Sequence, residues 1–322
     1  MVTAAVTVDA AGGQVGGAAR YLGELRGYLA RTGREDVEII GSRQRVRPGW
    51  LLRRELSSRP WDRRVALNNV GFVAPGGQRW TLLRNALHFL TEDEQARLDA
   101  TLRAKVRRDA VVVHLAARRS DVIVAPSTAM AERIVVIRPE LRSRVVVRPH
   151  PVSVPLIPRV PGGPVILCPV LFYSYKQMAQ RLTELLAAIG GLEDPSVRIQ
   201  VTAHAAEVPA AAACHPQVEL LGHLPYREVR QMQARSRAIY FPTGLESFGY
   251  PLAEARVSGQ PAIARDTAQN REIAGPALCG YTQGDPDSLR RAVDAALAAN
   301  VPPDPGPFDP DQYFDWLLGM PR

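Results

Sequence analysis

The chain has 322 residues, 46% of them hydrophobic, a formal net charge of +8 and three cysteines, Cys168, Cys214 and Cys279. That length suits two domains of ordinary soluble composition. No apolar run reaches the roughly 18 residues of a membrane span, the N-terminal MVTAAVTVDAAGG lacks a signal-peptide pattern, and the cysteines give no disulfide framework or zinc spacing. The expectation is a cytoplasmic protein. Its arginine-rich charge fits an anionic partner or a solvated basic surface that holds a local phosphate site, and no aromatic-interleaved nucleic-acid motif is present.

Apolar β-branched runs alternate with helical patterns, which predicts α/β layers with largely parallel sheets. Residues 4–8 read as a first strand, followed by a glycine loop and a helix over 18–31 with Leu22, Leu25 and Leu29 on one face. Residues 37–40, 65–68 and 122–125 read as strands, with one long polar helix over 92–119 and a further strand at 145–147. The stretch 149–164, RPHPVSVPLIPRVPGGP with its leading Arg148, is too rich in proline for a central strand or helix and marks a domain boundary. The alternation then restarts, with strands at 165–168, 198–202, 218–221, 238–241 and 262–264, and helices at 178–189, 226–235, 251–258 and 288–300. A second proline-rich link, 301–310, leads to a short helix over 312–318. The expected division is an N-terminal domain 1–155, a C-terminal domain 156–300, and a tail 301–322 returning towards the first domain.

The segment 241–264, FPTGLESFGYPLAEARVSGQPAIA, carries the most chemistry. A strand ends at Phe241, a turn exposes Glu246, and Phe248-Gly249-Tyr250 leads into a helix with Pro251 near its first position. The amides of residues 248–252 at such a helix start suit a phosphate, and Gly249 allows close approach. Glu254 lies one turn into the helix. From spacing alone these could equally be a loop carboxylate and a helix-surface glutamate.

Taken with 220–243 (LLGHLPYREVRQMQARSRAIYFPT) and 265–293 (RDTAQNREIAGPALCGYTQGDPDSLRRAV), the segment resembles retaining GT-B glycosyltransferases of family four, also called group 1. The resemblance implies an α/β GT-B fold of two Rossmann-like domains facing across a cleft. It implies that Glu246 meets hydroxyls of the transferred sugar and that Glu254 holds the ribose of a nucleotide. Backbone groups near Phe248, Gly249, Tyr250 and Leu252 would meet the sugar and diphosphate. In 166–186, Lys176 matches the family's diphosphate-binding lysine, but Leu171 stands where the family has arginine; Arg148 or Arg265 are possible substitutes. Gly16 and Gly17 match the family's N-terminal glycine loop beside the diphosphate.

His88 divides evenly between a partly buried structural histidine and the family's catalytic N-domain histidine; His114 reads as structural, and His150 as a hinge residue. No Asp-x-Asp or metal-ligand spacing occurs, so the expectation is no metal and no cofactor, with a UDP- or GDP-sugar as co-substrate. The implied activity is retaining, metal-independent transfer to a small soluble acceptor, such as a secondary-metabolite aglycone or aminocyclitol in antibiotic biosynthesis. The alternatives are an envelope or polysaccharide transferase at a membrane surface, with Arg43, Arg45, Arg47, Arg53 and Arg54 as a basic patch, or a modified GT-B protein that couples a pseudo-sugar or only binds a nucleotide sugar. Nucleic acid is not an expected partner.

Overall fold

The computed structural model describes residues 6–13, 16–57, 63–154, 157–169, 176–192 and 194–319. The chain forms two compact units, Met1–Ser153 with Phe308–Arg322, and Val154–Pro307.

In the first unit, β1 (Val6–Asp9), β2 (Val37–Ile40), β3 (Arg63–Ala66), β4 (Arg79–Leu82), β5 (Val122–Ala125) and β6 (Val145–Val147) form one sheet in the order β2-β1-β3-β4-β5-β6. All its pairings are parallel. The central strands are short apolar runs because helices cover both faces of such a sheet; Val8, Val65, Leu82 and Ile123 are fully buried. Helix α1 (Gly16–Thr32) buries Tyr21, Leu22, Leu25 and Tyr28, one stripe at helical spacing. Helices α2 (Pro48–Ser57), α3 (Glu92–Ala96), α4 (Ala100–Ala117) and α5 (Thr128–Ile137) complete the layers before the crossover.

The helix expected over 92–119 is two. Thr91 and Glu94 form a reciprocal capping box for α3, and the Asp99 carboxylate accepts the Leu102 amide at 2.8 Å to start α4 afresh. Strand β4, helix α2 and helix α5 had no counterpart in the sequence pattern.

The last helix, α12 (Pro310–Leu318), belongs to this first unit. It buries Tyr313, Phe314, Leu317 and Leu318. The Phe314 ring lies 5.7 Å from Tyr21 and 5.2 Å from Tyr28, and Trp316 meets Trp80 edge-on at 5.1 Å. Tyr28 Oη donates to Asp315 at 2.5 Å.

In the second unit, β7 (Val165–Cys168), β8 (Arg198–Val201), β9 (Val218–Leu220), β10 (Ala238–Phe241), β11 (Ala262–Arg265) and β12 (Leu278–Tyr281) run parallel in the order β12-β11-β10-β7-β8-β9. Helices α6 (Met178–Gly190), α7 (Ala210–Ala213), α8 (Tyr226–Arg235), α9 (Tyr250–Ser258), α10 (Ala268–Ala274) and α11 (Pro286–Ala298) connect them. The chain winds outward from β7 through β8 to β9, then returns beside β7 with β10 and winds the other way. The connections through α6 and α9 therefore leave in opposite senses, and such a reversal leaves a crevice at the carboxyl ends of β7 and β10.

Three histidines of the first unit are held neutral. Burial pushes the His88 imidazole down to about 4, with His114 adding to the effect and Asp109 opposing it. His114 donates from Nε2 to the His88 carbonyl at 2.8 Å and accepts from Arg138 at Nδ1, and burial lowers it as well. His150, packed edge-on against Tyr21 at 5.1 Å, is lowered strongly by burial and by Arg84. Each takes up a proton on unfolding below about pH 6.5, so the unfolded chain binds more protons as pH falls and stability falls with it. His88 alone removes of order 2 kcal/mol of stability by about pH 5, and of order 3 below about pH 4. The unfolding midpoint is expected to drop between about pH 7.5 and about pH 5, and less steeply in His88→Asn. A midpoint flat across that range would contradict the burial of these imidazoles.

Candidate active site

The crevice between the ends of β7 and β10 holds the first pair of charged groups. Lys176 follows β7 and stands just ahead of α6; the segment 170–175 with Leu171 lies outside the described residues. Gln177 then turns the chain with φ of 52°. Its side-chain oxygen accepts from the buried Arg181 at 3.1 Å, and Tyr240 of β10 donates to the Arg181 carbonyl at 3.1 Å. The start of α6 is thus tied to β10 from beneath. Above this, Lys176 Nζ donates to Glu246 Oε1 at 2.5 Å, with the side chains 14% and 21% exposed. Glu246 sits on the loop leaving β10, so the ion pair bridges the point where strand order reverses.

That loop enters α9 through Gly249 at φ of 88°, a left-handed conformation that a side chain would strain. A Cβ there would also press on Phe241 and Leu252 at 3.3–3.4 Å. Phe248, Tyr250 and Leu252 turn their side chains into the core, so any contact with a ligand falls to their backbone. The expected row of amides over 248–252 is shorter than the sequence implied. Pro251 has none, and the Leu252 amide bonds to the Gly249 carbonyl at 2.9 Å. Phe248, Gly249 and Tyr250 stand at the helix start.

Glu254 is 2% exposed. Its Oε1 accepts from Tyr226 Oη at 3.0 Å, and Arg230 Nη1 lies 3.7 Å from Oε2, both from α8. Tyr226 is itself 45% exposed, so the buried carboxylate lies under a side chain with room to move. Arg265, at the end of β11, rests its guanidinium against Gly244, where a Cβ would overlap it. This places a cation beside the loop that carries Glu246. Arg148, the other candidate for the arginine replaced by Leu171, stacks at 5.5 Å on Trp316 in the first unit.

Lys176 and Glu246 are thus paired in the second unit, and residues 248–250 and Glu254 follow on the same loop and the helix it enters. Gly16, Gly17 and His88 lie in the first. Gly16 and Gly17 are exposed and open α1, at the carboxyl end of β1, where that sheet reverses between β1 and β3. His88 follows β4; its Nε2 lies 3.3 Å from the Asn85 amide nitrogen, which suits a neutral, accepting imidazole. Sequence reading missed Tyr226 and Arg230, whose only signal is their place on the helix after the Gly222-His223-Leu224-Pro225 turn.

A model of the family described as glycosyl transferases group 1 matches residues 176–304. No curated protein matches the chain by sequence. Among solved structures, it is similar to sucrose-phosphate synthase from Thermosynechococcus elongatus at a TM-score of 0.63 and 14% identity, over 97% of this chain and 96% of that one. It is similar to WaaG, a glycosyltransferase involved in lipopolysaccharide biosynthesis, at 0.62 and 13%, over 98% and 100%. The apo lipopolysaccharide outer core galactosyltransferase WaaB gives 0.59 and 13%, over 97% and 98%. At these identities the likeness is one of fold, the two-sheet α/β fold of GT-B glycosyltransferases.

Proposed function

We propose that the chain, whose residues 176–304 match the group 1 glycosyltransferase model, is a retaining, metal-independent glycosyltransferase using a UDP- or GDP-sugar. The observation that carries this reading is the Lys176–Glu246 pair at the strand-order reversal inside the matched segment. A diphosphate entering the crevice offers Lys176 a more highly charged partner. Glu246 is then released to accept hydroxyls of the sugar. Glu254 exchanges the Tyr226 hydroxyl for the ribose diol. The amides of Phe248 to Tyr250 and the positive end of α9 face the phosphates.

Retention follows if acceptor and leaving phosphate share one face of the sugar, the departing phosphate helping to take the acceptor proton. Charge then grows on the β-phosphate, and Lys176 with Arg265 supplies the positive charge that a metal ion provides elsewhere. Gly16, Gly17 and His88 are assigned to the reaction by resemblance alone; His88 would act as a neutral hydrogen-bonding group. The acceptor in this reading is a small soluble molecule.

A second reading of the acceptor rests on α2. Leu52 and Leu56, four residues apart, are 66% and 81% exposed, and Arg43, Arg45, Arg47 and Arg53, close to them in sequence, are exposed as well. Arg54 is not part of this patch: it is buried and ion-paired to Asp9. No helix among the described residues is long and apolar enough to cross a membrane. An apolar pair framed by arginines suits a surface of anionic lipid and favours an acceptor held there.

Lys176→Ala is expected to lower kcat by about a hundred- to thousandfold, the scale for one preorganised donor to a developing oxyanion, with a smaller effect on donor KM. Wild-type turnover should persist in excess EDTA. Near-normal turnover of Lys176→Ala, or loss on chelation with rescue by a divalent ion, would overturn this assignment.

Glu254→Gln should weaken binding of the free nucleoside diphosphate by about 1–3 kcal/mol. Tyr226→Phe should instead tighten it, because the ribose no longer has to displace a hydroxyl. Calorimetry on the two variants decides; unchanged affinity in Glu254→Gln removes Glu254 from the nucleotide site.

Sedimentation with anionic and neutral vesicles separates the two acceptor readings. Binding to anionic vesicles alone, weakened by salt and by Leu52→Glu with Leu56→Glu, supports the membrane reading. Absence of binding at low salt leaves the soluble acceptor.

A further inference from the structure

A second cluster of chemically active side chains lies at the far edge of the same sheet, in the loops leaving β8 and β9. We propose that His204, Glu207 and His223 form a binding site for a divalent transition metal of the zinc class. The donor atoms of all three lie within 4.8 Å of one another.

The backbone prearranges them. The β8–β9 ladder continues past the strand ends, with Leu221 N donating to Val201 O at 2.9 Å and Gly222 N to Ala203 O at 3.1 Å. His204 and His223 are the next residues on the two loops, so their imidazoles meet, with ring centroids 4.7 Å apart. Gly222 has φ of 68° and lies under the His204 ring, where a Cβ would come within 2.9 Å of Cε1. Only glycine permits both the turn and the close approach.

The carboxylate is fixed by the same loop. Glu207 N donates to the His204 carbonyl at 2.9 Å, and the His204 amide donates to Glu207 Oε2 at 2.8 Å. His223 Nε2 lies 3.0 Å from Glu207 Oε1 and 2.8 Å from Oε2. One ligand is thus oriented by a backbone N–H, the kind of outer support that metal-ligating carboxylates use.

A surface His–Glu pair would account for His223 and Glu207, and such pairs contribute little. His204 also joins Glu207 in a capping box at the start of 205–207, but neither role accounts for the two imidazoles meeting over a glycine. Two imidazoles and one carboxylate form the donor set of zinc, with a fourth position open to water, and are a poor set for magnesium. His204 and His223 are exposed, so an ion can enter from solvent. The set has no ligand spacing along the chain because His223 arrives from the loop after the neighbouring strand, sixteen residues on from Glu207. The cluster stands over β8 and β9, while Lys176 and Glu246 follow β7 and β10, so a bound ion would clamp two loops of the second unit and take no part in phosphate chemistry.

The test uses untagged full-length protein dialysed against EDTA and then titrated with zinc chloride by calorimetry. One equivalent should bind and raise the unfolding midpoint. His204→Ala and His223→Ala should each lose affinity by about tenfold or more, while their metal-free unfolding midpoints match wild type. Cobalt substitution should give a tetrahedral d–d spectrum without a thiolate charge-transfer band, and Cys214→Ser should bind as wild type. Failure of wild type to bind zinc, undiminished binding in the histidine variants, or a thiolate band would each overturn the proposal.

Discussion

The Lys176–Glu246 ion pair depends on where the second sheet reverses direction. Parallel strands wound one way leave no crevice between neighbouring loops, because each connection crosses over the next. At β7 and β10 the connections leave in opposite senses, and the strand ends between them stay open. The ammonium and the carboxylate come from residues 70 apart in sequence, yet β7 and β10 are hydrogen-bonded neighbours. Arg181 ties the two ends together below, through Gln177 and the Tyr240 hydroxyl. The pair is therefore a property of topology first and of side chains second.

The first unit organises its own reversal around a buried carboxylate. Asp9 ends β1 with no exposure and accepts from Arg54, from Asn68 at 2.7 Å, from Trp50 at 3.1 Å and from the Ala11 amide at 3.0 Å. Arg54 in turn donates to the Gly71 carbonyl at 2.7 Å and stacks on Phe72. A charge so placed has to be answered on every side, and removing one partner of such a pair costs about 3–5 kcal/mol. The network joins β1, α2 and the loop after β3 exactly where the glycine-rich turn departs, so the turn springs from rigid ground. It also divides the arginines of 43–54 by role, since Arg54 is committed to the interior while its neighbours point outward.

The second unit was the more legible in sequence because its local signals agree with its tertiary structure. Asp285 caps α11 by accepting the Ser288 amide at 2.9 Å, as its Asp-Pro-Asp-Ser run suggests, and the glycine before α9 has the left-handed φ that its turn requires. Composition gave a further hint. Lys105 and Lys176 are the only lysines among 40 basic Lys and Arg residues, so a lysine at 176 stands against the chain's own bias. What stayed hidden was written in burial and in neighbouring strands. β4 begins with Arg79, whose charge is answered by Asp121 42 residues away. The break between α3 and α4 rests on one cap, and the cover over Glu254 comes from a different helix.

Both carboxylates of the candidate site already have protein partners, which bears on how tightly a donor can be held. Glu246 is answered by Lys176, and Glu254 by Tyr226 with Arg230 nearby. In the proposed reaction a nucleotide sugar reaching them would exchange one set of bonds for another, so its affinity would be the difference between the two sets. The two exchanges differ in kind. At Glu254 a neutral hydroxyl would give way to neutral ribose hydroxyls, and the balance would stay close to even. At Lys176 a single carboxylate would give way to a diphosphate whose charge grows as the sugar leaves, so on this proposal the gain is largest in the transition state. Binding energy placed that way would raise turnover more than it tightens the donor, which is why the proposed reaction rests its rate on Lys176.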